Sequence, residues 1–181
     1  MSQIINKMSP PSSQKLVAHK TEQQVEYQRF LGFTIGDSLN ALIPLVNLQA
    51  TIKISLSEIL SVPQMNESLL GIINYGGKAT WVLDLAHLMG GSGYLHQPEV
   101  ATGMGMLFQV QNETVALLID RVGTIETYDL QQCLPISEAM FTDRMRLFLS
   151  GYFIDTDQQA RVVIDLRQVV SSLSAASGAI S

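Results

Sequence analysis

Apolar residues in this chain recur mostly at every second position, in short bursts broken by turn residues. Leu31, Phe33 and Ile35 alternate with Gly32 and Thr34, the period of a strand with one buried face. Ile52 and Ile54 flank Lys53, and Met106, Phe108 and Val110 repeat the pattern further on. Two runs, Leu42 to Val46 around Pro44 and Val115 to Ile119, are nearly continuous, as expected of strands covered on both faces. Gly36-Asp37-Ser38, Gly76-Gly77, Gly90-Gly91-Ser92-Gly93, Gln111-Asn112-Glu113 and Asp155-Thr156-Asp157 separate the runs. Many short strands at this spacing predict a mainly β fold built of small barrels or a sandwich. Helices are few and short, around Leu56 to Leu60, Leu85 to Met89 and Leu166 to Leu173. Residues 1–27 are polar, carry Pro10-Pro11-Ser12-Ser13, and read as a tail with a short helix around Lys15 to Tyr27. Residues 171–181 are small and polar and read as a second tail that frays.

The pattern repeats itself. Phe33-Thr34-Ile35-Gly36-Asp37-Ser38-Leu39-Asn40-Ala41-Leu42 aligns without a gap on Phe108-Gln109-Val110-Gln111-Asn112-Glu113-Thr114-Val115-Ala116-Leu117. Each copy is followed by a glycine-led strand pair ending in Asp-Leu: Gly71 to Asp84-Leu85, and Gly151 to Asp165-Leu166, the second needing one extra residue. Two copies of one β unit predict two similar subdomains facing each other, about 28–90 and 104–170, with chain crossover at their ends.

Composition narrows the function. Hydrophobic residues make up 46% and charged residues 15%, ample for a core, and the net charge is −5. No cluster of Lys and Arg is present beyond Arg144 and Arg146, which argues against a nucleic-acid surface. The lone Cys133 cannot staple the chain or build a cysteine metal site, so a reducing compartment is expected. Residues 1–20 do not read as a signal peptide, and no run approaches the ~18 apolar residues of a membrane span. A cytoplasmic protein without direct membrane insertion is expected.

Catalytic chemistry is hard to find. His19, His87 and His96 have no partners at metal-ligand spacing. Asp84 and Asp165 stand between an apolar strand and a short helix, where aspartate caps the helix. Gly90-Gly91-Ser92-Gly93 precedes no Lys-Ser/Thr and reads as a flexible link rather than a phosphate loop. No serine sits in a Gly-x-Ser-x-Gly elbow, and Cys133 before Leu134-Pro135 has no evident base. No catalytic, cofactor-binding or metal-binding residue is assigned.

The stretch Leu70-Gly71-Ile72-Ile73-Asn74-Tyr75-Gly76-Gly77-Lys78-Ala79-Thr80-Trp81-Val82-Leu83-Asp84-Leu85 resembles the most recognisable part of the CheW family, whose pattern runs Gly-Val-Ile-Asn-Leu-Arg-Gly to Pro-Val-x-Asp-Leu. Ala41-Leu42-Ile43-Pro44-Leu45 is similar to the family's Tyr-Ala-Leu-Pro-Leu strand, and Val115 to Val122 followed by Gly151 to Leu166 also fits. The similarity spans about 28–170. It implies two five-stranded β-barrels on a shared core, with a few short helices, acting as a non-enzymatic adaptor. One surface would bind the regulatory domain of a CheA-type histidine kinase. A groove near the subdomain junction would meet the cytoplasmic tip of a methyl-accepting-type receptor, drawing the protein to membrane-associated receptor arrays.

Two positions depart from the family. Its turn arginine is here Gly76, and its glutamate after the Pro-Leu strand falls at Ala50. Loss of both members of an ion pair leaves no lone charge, but removes groups that fix partner geometry. This implies a divergent adaptor with an altered surface, serving a pathway such as pilus-driven motility or phototaxis. The expected partner-binding residues are Leu48, Ala50, Asn74, Tyr75, Gly76 and Gly77, with Val122 and Ile125 in the second half. Leu48, Val122 and Ile125 also fit plain core positions, and Asn74 fits a turn stabiliser. Two alternatives stand beside the adaptor: a CheW-like module with a single partner outside the array, and a small ligand-binding or enzymatic barrel.

Overall fold

The computed structural model describes residues 25–36, 39–94, 101–110 and 113–176. Among the described residues, ten strands form two five-stranded sheets. The chain runs through β1 (Tyr27–Ile35), β2 (Leu39–Pro44), β3 (Leu48–Ser55), β4 (Leu69–Tyr75), β5 (Lys78–Asp84), α1 (Leu85–Leu88), β6 (Thr102–Val110) and β7 (Glu113–Ile119). It continues through β8 (Arg121–Asp129), α2 (Asp143–Arg146), β9 (Leu149–Ile154), β10 (Ala160–Ile164) and α3 (Leu166–Ala176). One sheet has the order β8-β1-β2-β10-β9 and the other β3-β6-β7-β5-β4.

These orders are the same once β1–β5 are matched to β6–β10. The expected repeat is therefore present, but its copies exchange strands. Each sheet takes its first hairpin from one copy and its remaining three strands from the other. The division at about 90 to 104 does not follow the sheets: the middle of the chain, β3 to β7, builds an inner sheet, and the two ends build an outer one. Alternation along single strands carries no information about this exchange, because it fixes faces and not partners.

Strand pairing also corrects the gapless alignment. Phe33 lies opposite Ala41, and Phe108 opposite Val115, so Ala41 matches Val115 rather than Ala116. The first hairpin turns between Ile35 and Leu39, one residue longer than the turn between Val110 and Glu113. A one-residue slip moves every later side chain to the opposite face.

Three cores result. Leu31, Phe33, Ala41, Ile43 and Val162 of the outer sheet meet Leu83, Met106, Phe108, Val115 and Leu117 of the inner sheet in a shared core. The alternate residues of the same strands line one core within each half: Val82, Leu107, Ala116 and Leu118 inside, and Phe30, Leu42, Phe153 and Val163 outside. Continuous apolar runs follow from this double coverage.

The sheets are not the closed barrels expected. Each end pair of strands is joined by one bridge from the segment after the edge strand, Leu60 to Ile72 and Leu134 to Tyr152. Glycine permits each approach. A Cβ on Gly71, whose φ is +140°, would lie 2.1 Å from the Leu60 carbonyl oxygen, and one on Gly151 would lie 2.5 Å from Cys133 Sγ.

Several local expectations change. The predicted helix to Tyr27 lies largely outside the described residues, and Tyr27 itself opens β1. The run Leu42 to Val46 does not stay buried: β2 ends at Pro44, a 3₁₀ turn covers Leu45–Asn47, and Val46 is 77% exposed. The helix near Leu56 is a single 3₁₀ turn, Leu56–Glu58. The C-terminal tail from 171 is helical to Ala176, because α3 buries Val169 and rests Leu166 and Leu173 on the shared core.

Candidate functional site

Where the two sheets meet, three short elements enclose a cleft of about 370 Å³. Its apolar walls are Ile35 and Leu39 from the first hairpin, Ala86 and Met89 from α1 and its end, and Met145 from α2, with Ser92 and Thr142 at the edge. Asp84 starts α1 by accepting the His87 amide at 3.0 Å, and its other oxygen accepts the Tyr94 amide at 2.6 Å. Burial raises the Asp84 carboxyl above its ordinary value, and these two N–H donors oppose the rise. Gly90, at φ +90°, ends the helix, and the Gly91 amide returns to the Ala86 carbonyl at 2.9 Å. The glycine-rich stretch is thus a folded helix cap and not a loose link. Gly93 is packed so closely that a Cβ would meet Asp84 Oδ2 at 2.7 Å.

Two residues far apart in sequence hold the cleft's walls. Arg144 of α2 donates through Nε to the Leu88 carbonyl and through Nη2 to the His87 carbonyl, both at 2.8 Å. Both carbonyls lie in the last turn of α1, the His87 carbonyl also accepting the Gly90 amide at 3.0 Å, and a guanidinium fork matches the two at once. Asp120, at the corner between β7 and β8, accepts the Gly36 amide at 2.6 Å and the Tyr94 hydroxyl at 3.2 Å. Burial, and then the Asp120 carboxylate, push the Tyr94 hydroxyl far above its usual range.

The residues expected to meet partners fall into three groups. Asn74, Tyr75, Gly76 and Gly77 form the β4–β5 hairpin, with Tyr75 opposite Lys78 and both glycines at positive φ, +58° and +81°. That is a two-residue turn of the primed type, and Asn74 Oδ1 accepts the Gly77 amide at 2.9 Å. Tyr75 is half-buried against the inner core, so its ring is partly a packing group. Ala50 lies on β3, two residues from Ile52, which shares a cleft with Asn74.

Leu48 and Val122 are repeat equivalents, opposite Phe108 and Phe33 respectively, and both rest on the shared core. Their position explains their apolar character without a partner. Ile125 is 52% exposed on β8, in the outer sheet and on a different sheet from the Gly-Gly hairpin. Sequence reading missed Ile35, Leu39, Met89, Arg144 and Met145 as cleft residues. The only sequence signal was the pair Arg144 and Arg146, whose members separate: Arg146 binds Asp143 and Glu138 beside it, while Arg144 crosses to α1.

Among the described residues, no group of three or more His, Cys, Asp or Glu side chains is placed to hold a metal. His87 faces Glu67 at 3.3 Å. Burial raises the Cys133 thiol, which disfavours the thiolate a nucleophile needs. No helix among the described residues is long and apolar enough to cross a membrane. His19 and His96 lie outside the described residues.

A family model described as a CheW-like domain matches residues 29–174. No curated protein matches the chain in sequence. Among solved structures, the scaffolding protein TtCheW from Thermoanaerobacter tengcongensis is similar, with a TM-score of 0.64 and 20% identity, over 78% of this chain and 90% of that one. At that identity the likeness shows the fold.

Proposed function

We propose that this chain, which belongs to the CheW-like domain family, is an adaptor coupling a CheA-type histidine kinase to methyl-accepting-type receptors at cytoplasmic arrays. The family is one of non-catalytic scaffolds for chemotaxis-type signalling. Such a protein acts by raising effective concentration and fixing geometry, with no bond made or broken. The observation that carries the reading is the match over residues 29–174, which runs from within β1 through β10 and takes in both copies of the repeat.

The junction cleft suits the receptor side. Its apolar walls and open form fit the anchors of a helical hairpin, spaced one turn apart. The Gly76-Gly77 hairpin with Asn74, Tyr75 and nearby Ala50 is the proposed kinase side. With glycine and alanine where the family carries arginine and glutamate, that contact would rest on shape and apolar burial rather than an ion pair.

Calorimetric titration of the full chain against the kinase regulatory domain and a receptor-tip fragment from the same genome tests this. Met145→Glu is expected to weaken receptor binding and spare kinase binding, and Tyr75→Ala to do the reverse. Failure of the unaltered chain to bind either partner would refute the adaptor role. Binding to one partner alone would favour a module working outside the array, a reading that the uncharged Gly76 turn keeps in view.

A further inference from the structure

The two copies of the repeat differ in the residue just before their edge strands, β4 and β9. The Asp84 amide donates to the Ser68 carbonyl at 2.7 Å, and the Asp165 amide donates to the Phe148 carbonyl at 2.8 Å. Leu69 then lies opposite Leu83 as Leu149 lies opposite Ile164. Ser68 is therefore the counterpart of Phe148. Phe148 is part of the shared core, and Ser68 is buried more deeply still, at 1% exposure. A hydroxymethyl group stands where the other copy has a ring.

The helices that follow differ as well. α1 ends at Leu88, whereas its counterpart α3 runs on to Ala176. That extra length brings Ser172 and Leu173 to a small cavity of about 30 Å³ beside Ser68. Leu83, Leu88 and Leu173 are among its apolar walls, and its polar residues are Ser68, Ser172 and Asn66. Both backbone groups of Ser68 are paired, the amide with Asn66 Oδ1 at 2.9 Å and the carbonyl with Asp84. Its side chain is not. Ser68 Oγ is buried and has no hydrogen-bond partner among the described residues, a costly state for a hydroxyl in a dry site. On α3, Ser172 Oγ donates to the Val169 carbonyl at 2.6 Å, which leaves its lone pairs to accept.

We infer that this cavity binds one ordered water, which joins Ser68 Oγ to Ser172 Oγ and fastens the C-terminal half of α3 to the inner half of the fold. The volume suits water and little else, since a single molecule needs ~10–15 Å³ of such space. The partners suffice too. A buried water makes about three hydrogen bonds; the two hydroxyls supply two, and the Asn66 amide group is of the type to give a third. The seam also bears on the junction cleft. Leu88 closes α1, whose Ala86 lines that cleft beside Met89, so the hydrated seam and the cleft share one helix.

The test counts the water directly. Oxygen-17 relaxation dispersion of the full chain reads long-lived waters and is blind to exchanging hydroxyl protons. Ser68→Val fills the cavity and removes the hydroxyl, and is expected to lower the dispersion amplitude by one water. An unchanged amplitude would overturn the inference, whatever the stability of the variants. Urea melts give a second reading. Ser68→Ala is expected to lower the folding equilibrium constant about fivefold, and Ser172→Ala to lower it comparably. The double substitution should lower it by less than the product of the two, because both serines hold one bridge. A gain in stability on Ser68→Ala would show a hydroxyl buried dry, and losses that simply multiply would show serines acting separately. Either result would overturn the bridge. If Ser68→Val does not fold, the sign of the Ser68→Ala effect decides.

Discussion

The inner and outer sheets share an order of strands, a pattern of glycine-assisted bridges and a common core, yet they stabilise their open edges by different chemistry. Where β8 meets β9, the rings of Phe30, Tyr128 and Phe153 and the network of Arg161 with Glu126 and Asp155 fill the gap. Where β3 meets β4, Ile52, Ile54 and Ile73 pack instead with Tyr94, Leu56, Ile59 and Tyr75, without an ion-pair network like that of Arg161. The shared core is indifferent to the contrast, since its residues lie on the opposite faces of the same strands. A sheet with both faces covered can therefore diverge on one face while the other holds the fold.

Substitutions sharpen the contrast to different degrees. Phe153→Ala removes the ring stacked on Tyr128 and should cost about 3–5 kcal/mol in a urea melt. Ile73→Ala, at the equivalent inner position, should cost about 2 kcal/mol, because its wall already faces a cleft. Equal losses would show that the two edges are energetically alike. Gly71→Ala forces a Cβ against the Leu60 carbonyl at a φ of +140° and should cost about 3 kcal/mol, combining backbone strain with overpacking. Gly76→Ala, in open space at φ +58°, should cost only about 1 kcal/mol.

Tyr128→Phe keeps the stack and removes one hydrogen bond, for about 1 kcal/mol by the same melt. Burial and Glu126 push that hydroxyl's pKa up to about 12, so it stays protonated and donating at neutral pH. The smallest effect is confined to acid. The Gln159 amide foremost, and Arg161, hold the Asp155 carboxyl below its ordinary 3.8. Its contribution is complete above that unfolded value and is lost as pH falls through the lower folded one. Asp84 has the opposite sign: burial raises it, so its ionised form is a penalty that acidification relieves. Denaturant midpoints of Asp155→Asn and the unaltered chain should converge as pH is lowered to about 2. A constant gap would mean that Asp155 acts by shape and not by charge.

Much of this architecture was legible before any coordinates. Period-two patterning placed most strands, and the paired Asp-Leu endings marked two helix starts that Asp84 and Asp165 do cap. What stayed hidden depends on partners rather than periods. The extra residue in the first hairpin is invisible to an alignment of apolar letters, because Ala41 resembles Val115 and Ala116 about equally. Leu48 and Val122 read in the sequence as contacts or as core, and only pairing opposite Phe108 and Phe33 shows that both rest, partly exposed, on the shared core. The clamp of Arg144 on α1 spans two copies of the repeat, and no local spacing announces it.

The exchange of strands also sets an order in time. The inner sheet is one unbroken stretch of chain, from Leu48 to Ile119, and can close once β7 has been synthesised. The first hairpin is made before it yet belongs to the sheet finished last, since its partners β8, β9 and β10 come from the far end. Chains emerge at ~5–20 residues per second, and pairings between distant segments bear a larger loop-closure cost. During that interval Leu31, Phe33 and Ile43 have only the inner half to cover them. The earliest residues of the fold to leave the ribosome thus wait for partners from the last third of the chain before their sheet is complete.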